Sequence, residues 1–303
     1  MIDQRFKNMN EKENFLFSIL NDDERKDFQM IHTHFTNTSN LTIKITDKLP
    51  KEKVLPKEYE EYFEVHFFKF VLQGLSIKHL FNGTPINYSN NNVIYHDISS
   101  IFSLSRSYLE SFLTINYLYF NFKNEEQAIF RYLLYSASGL NRRQSYPTSN
   151  IENTSKKEEE KKEIDFLINR IKVNTYFLSL HPKKQKDLLT KLLPYEIEKE
   201  KIFIETGLDS MSFHTMWKLF SNYSHSEFIE AMQVKLYINN QKEFIATLYG
   251  TFRFCLMLNC YLLIKLVEKF DFAKQIYNES NSTTKYAVEF WKKILIGIKS
   301  NPL

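Results

Sequence analysis

The stretch ISSIFSLSRSYLESFLTINYLYF, residues 98–120, decides the fold. Ile98, Ile101, Phe102, Leu104, Tyr108, Leu109, Phe112, Leu113 and Ile115 cover nearly the whole circumference of a helix. A helix that is apolar all round sits among other helices rather than on a surface. Asp97, directly before it, can cap its first turn. Two charges interrupt this apolar run, Arg106 and Glu110. They are four residues apart and share one face.

The neighbouring segments extend the helical pattern. Asn124 with Gln127 resembles a capping box and opens a helix to about Leu140. Residues 141–155 form a polar loop. KKEEEKKE, residues 156–163, mixes both signs at helical spacing and starts a solvated helix running through Phe177. Pro182 and Pro194 bracket a shorter helix. Residues 210–234 are helical, with a break near Tyr223–Ser226. Asn240–Phe270 is a long apolar helix, and Thr283–Ile298 an amphipathic terminal one. Toward the N-terminus, residues 57–81 are helical, and NGTPINYSNNN, residues 82–92, is a loop. Residues 11–35 are helical, with a polar break near Asn21–Asp23. Residues 36–56 are expected to be irregular, with a short strand open at Leu41–Ile45.

Composition agrees. Six Gly and seven Pro in 303 residues leave little for the turns of strand-rich folds. No GxGxxG and no GxxxxGK[ST] occurs, which sets aside dinucleotide-binding and P-loop folds. The expectation is an all-α fold of about nine helices, a single multi-helix, bundle-like domain. Residues 1–89 would form an N-terminal helical extension and residues 90–303 the helical core. The surplus of 27 Phe and 18 Tyr reads as core packing.

A net charge of +4 is too mild to imply nucleic-acid binding by itself. Cys255 and Cys260 lie five apart on a helix and do not share a face, which argues against a disulfide or a metal clip. The expected setting is reduced and cytoplasmic. Phe244 to Ile264 approaches the length of a membrane span, but Arg253 at its centre favours a buried core helix. No cofactor, metal or membrane partner is expected. His32 and His34 point in different directions on a helix, and the remaining histidines show no metal-ligand spacing.

Two constellations could carry chemistry. The first is Arg106 with Glu110. A charged pair in an apolar helix must find partners or a ligand, and an ion pair that fixes helix packing is the plainer use. The second is WKLFSNYSH, residues 217–225, where Trp217, Ser221 and His225 recur every four residues on one face. His225 could act as a base near neutral pH, or cap a helix C-terminus.

SRSYLES, followed about a hundred residues later by WKLFSNYSH, resembles an uncharacterised bacterial α-helical family, domain of unknown function 5677. The resemblance covers roughly residues 90–270. Its Arg-x3-Glu and Ser-x3-His pattern falls on Arg106, Glu110, Ser221 and His225. A weaker similarity is to HEPN-type helical domains of toxin and defence systems, many of them metal-independent ribonucleases with an Arg-x4-6-His motif. Before His225 this chain offers Lys218 and no arginine, so Arg106 would supply the guanidinium from another helix. That likeness implies His225 as base toward a ribose 2′-hydroxyl and Arg106 stabilising the phosphate. Glu110 would orient Arg106, and Ser221 would donate a hydrogen bond. The expectation weighted first is a non-catalytic binding or sensing module in a defence or toxin–antitoxin setting. Its partners would be RNA, a protein or a second copy of the chain. A ribonuclease using His225 and Arg106 is the alternative.

Overall fold

The structure is a computed structural model that describes Lys12, Phe15 and residues 29–52, 57–88, 91–147, 151–208, 210–224 and 228–297. The fold is all-α. Among the described residues, thirteen α-helices accompany one two-stranded sheet. The helices are α1 (Gln29–Thr46), α2 (Phe63–Phe81), α3 (Ile98–Tyr119), α4 (Glu125–Gln144), α5 (Ile151–Val173), α6 (Thr175–Leu178), α7 (Pro182–Lys191), α8 (Lys199–Glu205), α9 (Ser210–Ser224), α10 (Phe228–Asn239), α11 (Gln241–Lys269), α12 (Asp271–Asn278) and α13 (Ser282–Gly297). Most of the 11–35 helix and its polar break lie outside the described residues.

The chain forms two compact units. The first draws on Met1–Val54, Glu64–Phe112 and Gly207–Leu303, the second on Leu55–Phe63 and Leu113–Thr206. In the first, α11 is the central helix and packs against α1, α12 and α13. It is long and apolar enough to cross a membrane, yet 72 % of its most apolar stretch is buried inside the protein. It is therefore the core helix its sequence suggested. Phe252 stacks between Phe35 and Phe81, at 5.0 and 4.5 Å between ring centres. Trp291 of α13 is fully buried in the same unit.

In the second unit, α4 packs on α5 and α6. Phe130, Leu134, Leu167, Ile171, Phe177 and Leu188 form its core. Asp97 caps α3 as its sequence implied: Ser100 N–H donates to its carboxylate at 3.0 Å. Asn124 caps α4 by accepting from Gln127 N–H at 3.0 Å, while the Gln127 side chain accepts from Lys123 N–H at 2.8 Å. The reciprocal bond thus lands one residue before the cap.

Four local expectations need correction. Residues 36–46 are helical, continuing α1, and Leu41–Ile45 is no strand. The β-branched run LTIKI suggested extension. Instead Ile31, Phe35, Leu41 and Ile45 recur at helical spacing and are buried. Thr33, Thr36, Thr38 and Thr42 each donate to the carbonyl four residues back, so their hydroxyls cost the helix little. The loop 82–92 is largely a hairpin, β1 (Thr84–Tyr88) paired antiparallel with β2 (Asn91–Tyr95), Ile86 opposite Val93. Gly83 enters it at φ +74°, where a Cβ would collide with Ile94. Helix α5 starts at Ile151 and stops at Val173, and Asn174 caps a separate α6 by accepting from Phe177 N–H. The count exceeds nine, with α6, α8 and α12 among the short helices not anticipated.

Gly74 is where α2 meets the core of the first unit most closely. A Cβ there would lie 3.0 Å from Phe35 Cζ and 3.2 Å from Tyr108 Cε2. Both rings would have to shift, and each is braced: Phe35 stacks on Phe252 and Tyr108 on Phe70 at 4.0 Å. Gly74→Ala is expected to destabilise by about 1–2 kcal/mol, overpacking outweighing the helix-propensity gain. Denaturant unfolding of the variant checks this; a gain in stability would mean the rings move apart freely.

Candidate functional site

Helix α3 presents Arg106, and α9 comes to lie across it. Three apolar contacts seat α9. Phe102 of α3 meets Phe220 at 5.8 Å and the edge of Tyr223 at 4.6 Å, and Phe220 reaches Phe254 of α11. Ser103 donates to the carbonyl of Tyr223 at 3.3 Å. These contacts place Trp217 and Ser221 against Arg106.

The guanidinium stacks on the Trp217 indole, 3.2 Å from the ring centre. Phe213, buried, also stacks on that indole, at 5.0 Å. Arg106 Nη1 donates to Ser221 Oγ and to the Trp217 carbonyl at 3.4 Å. Arg106 Nε donates to Glu110 Oε1 at 3.3 Å. The Ser221 hydroxyl donates in turn to the Trp217 carbonyl. Its lone pairs are thereby turned to the arginine.

Burial lowers the Arg106 pKa, and Glu110 opposes that shift. The Arg106 side chain is 17 % exposed and that of Glu110 40 %, so the cluster is a half-buried edge. Its contacts tie α9 to α3. Glu110 balances the arginine's charge.

Of the four residues picked out by sequence, Arg106, Glu110 and Ser221 come together. His225 lies outside the described residues. Trp217 was recognised only as sharing a helix face with Ser221; its role as the stacking platform depends on α9 packing on α3. Among the described residues no group of His, Cys, Asp and Glu could hold a metal ion. Cys255 and Cys260 are both buried, and burial pushes the Cys255 thiol up to about 12, which suits core residues.

Sequence reasoning missed a second, deeper cluster in the second unit. Arg131 of α4 is 1 % exposed and pairs with Glu196, Nε to Oε1 2.8 Å. Arg131 also donates to the carbonyls of Tyr117, at 3.1 Å, and Asn121. Its guanidinium lies 4.3 Å from the Tyr117 ring centre. Glu196 accepts further from Gln127 at 3.1 Å and from the Tyr176 hydroxyl at 2.8 Å. Its signal was Arg131 within the apolar run FRYLLY, the same kind of signal that Arg106 gave.

No family model, no curated protein and no solved structure matches this chain.

Proposed function

We propose that the chain is a non-catalytic binding or sensing module, in which Arg106, Glu110, Trp217 and Ser221 fasten α9 onto α3. The observation that carries this reading is how fully Arg106 is engaged. It is stacked on Trp217 and donates to Ser221, to a backbone carbonyl and to Glu110. These contacts hold Nε and Nη1 within the protein, where a bidentate hold on a phosphate would need two adjacent donors of the fork. The weaker likeness to HEPN-type domains suggests a defence or toxin–antitoxin setting with RNA, a protein or a second copy as partner, and the cysteine usage suggests the cytoplasm.

Arg106→Ala is expected to lower the unfolding free energy by about 2 kcal/mol, from lost charged hydrogen bonds and cation–π stacking. Arg106→Lys should recover little of it, because an ammonium offers neither the planar fork nor the stacking face. Equilibrium unfolding measures both. A neutral Arg106→Ala would defeat the clip.

Metal-independent RNA cleavage is the second reading. One observation favours it: Ser221, four residues before His225 in the sequence, sits against Arg106. Purified protein incubated with a labelled RNA pool in EDTA separates the two readings. No cleavage is expected. Cleavage by wild type that His225→Ala abolishes, leaving 2′,3′-cyclic ends, would replace the first reading with the second.

A further inference from the structure

Helix α2 is apolar on two opposite faces. Phe67, Phe70, Val71, Gly74 and Ile77 are buried on one. On the other, Val65, Phe68 and Leu72 are 61, 52 and 46 % exposed, Leu75 is half-buried and His79 is exposed. Positions 65, 68, 72, 75 and 79 advance by alternating steps of three and four, the spacing of a coiled-coil seam. A helix that buries only one face is polar on its outer side; a contiguous apolar row there marks a surface that is covered in use.

The residues beside the seam indicate by what. Glu64 and Lys78 lie on the same flank, one near each end of α2. When two copies of α2 run antiparallel, Val65 faces Leu75 and Phe68 faces Leu72. Glu64 of each copy then meets Lys78 of the other, so a two-fold axis forms the pair twice. The opposed helix dipoles also attract. A parallel pair could join Glu64 to Lys69, but it would stack His79 on itself, leave Lys78 without an acid and align the dipoles. The antiparallel pair brings Lys69 beside its own copy at the solvent rim, where screening keeps the cost small.

We propose that this face of α2 is where a second copy of the chain docks, α2 against α2, antiparallel. Helix α2 has 19 residues, about 28 Å, which is room for a short seam. Such a seam alone covers less than the ~800 Å² per partner of a standard interface, so the dissociation constant is of order micromolar.

Sedimentation equilibrium of the full chain across the micromolar range tests this. The wild type is expected to show a reversible monomer–dimer equilibrium. Phe68→Glu should weaken it at least ~100-fold, since each dimer carries the substitution twice. Its circular dichroism and monomer melting should stay unchanged, because Phe68 is exposed. Glu64→Lys and Lys78→Glu should each weaken the dimer roughly tenfold, and the double variant should restore it. A wild type that stays monomeric throughout overturns the proposal, as does a dimer indifferent to Phe68→Glu. Failure of the double variant to restore the dimer overturns the antiparallel register. A monomer that instead co-sediments with phosphatidylcholine–phosphatidylserine vesicles overturns it in favour of a lipid surface.

Discussion

Glu196→Ala is expected to cost about 3–5 kcal/mol of folding stability, the largest single effect we foresee. The reason is what it leaves behind. Arg131 stays charged at 1 % exposure, with two backbone carbonyls and only a longer, part-exposed acid to answer it. Glu205 is the nearest remaining acid, 3.8 Å away, with a side chain 40 % exposed. Burial already raises the Glu205 pKa, which limits how well it can substitute. Tyr176 loses its acceptor as well, and Gln127 loses one of its two. Glu196→Gln keeps the shape but not the charge and should cost nearly as much. The double variant Arg131→Met with Glu196→Leu should be far milder than either single loss, because no buried charge is then stranded. Denaturant unfolding gives the totals, and hydrogen exchange should place the loss in the second unit. A loss below about 1 kcal/mol for Glu196→Ala would mean that solvent reaches Arg131 freely.

Acidification between about pH 6.5 and pH 4 should remove about 3 kcal/mol through His34 alone. The His34 side chain is buried in α1, and the indole N–H of Trp291 donates to its Nδ1 at 3.2 Å. That nitrogen must therefore keep its lone pair. Burial holds the imidazole down at about 4, below its ordinary 6.5. The sign follows directly. As pH falls past 6.5 the unfolded chain takes up a proton that the folded chain refuses. The unfolded state gains stability until the folded pKa is reached. This contribution is complete above about pH 6.5 and is gone below about pH 4. His32 and His66 are also held near 4 by burial, helped by Lys78 and Lys69, but they are more open to solvent and add less. His34→Gln should flatten the pH dependence of unfolding in this window. An unchanged slope would exonerate His34.

The fold was legible where burial alone sets the pattern. Residues 98–120 and 240–270 are apolar on nearly all sides, and both are long helices with buried residues along most of their length. It was least legible where local preference and packing disagree. LTIKI has the composition of a strand, yet Leu41 and Ile45 are buried on α1, which packs against α11, α12 and α13. NGTPINYSNNN has the composition of a loop, and its cross-strand pairs emerge only from the fold. The site divides the same way. Spacing put Arg106 beside Glu110. Only tertiary packing brings Ser221, 115 residues later in the chain, to the same guanidinium. Glu196 likewise lies 65 residues from Arg131, with nothing local to announce it. The aromatic surplus was read as core, and most of it is; Phe68 is the kind of exception that composition cannot separate.

The chain holds two tryptophans, and the fold buries them to different depths. Each has an arginine over its ring, but Trp291 is wholly enclosed in the first unit's core, whereas Trp217 is half-buried. Their intrinsic fluorescence is therefore a two-channel readout supplied by the protein itself. Blue-shifted emission from Trp291 follows the integrity of the core. Redder emission from Trp217 follows whether α9 stays clipped to α3. Trp217→Phe and Trp291→Phe would isolate each channel. Loosening of the clip could then be watched in solution, without an added label, while the core remains folded.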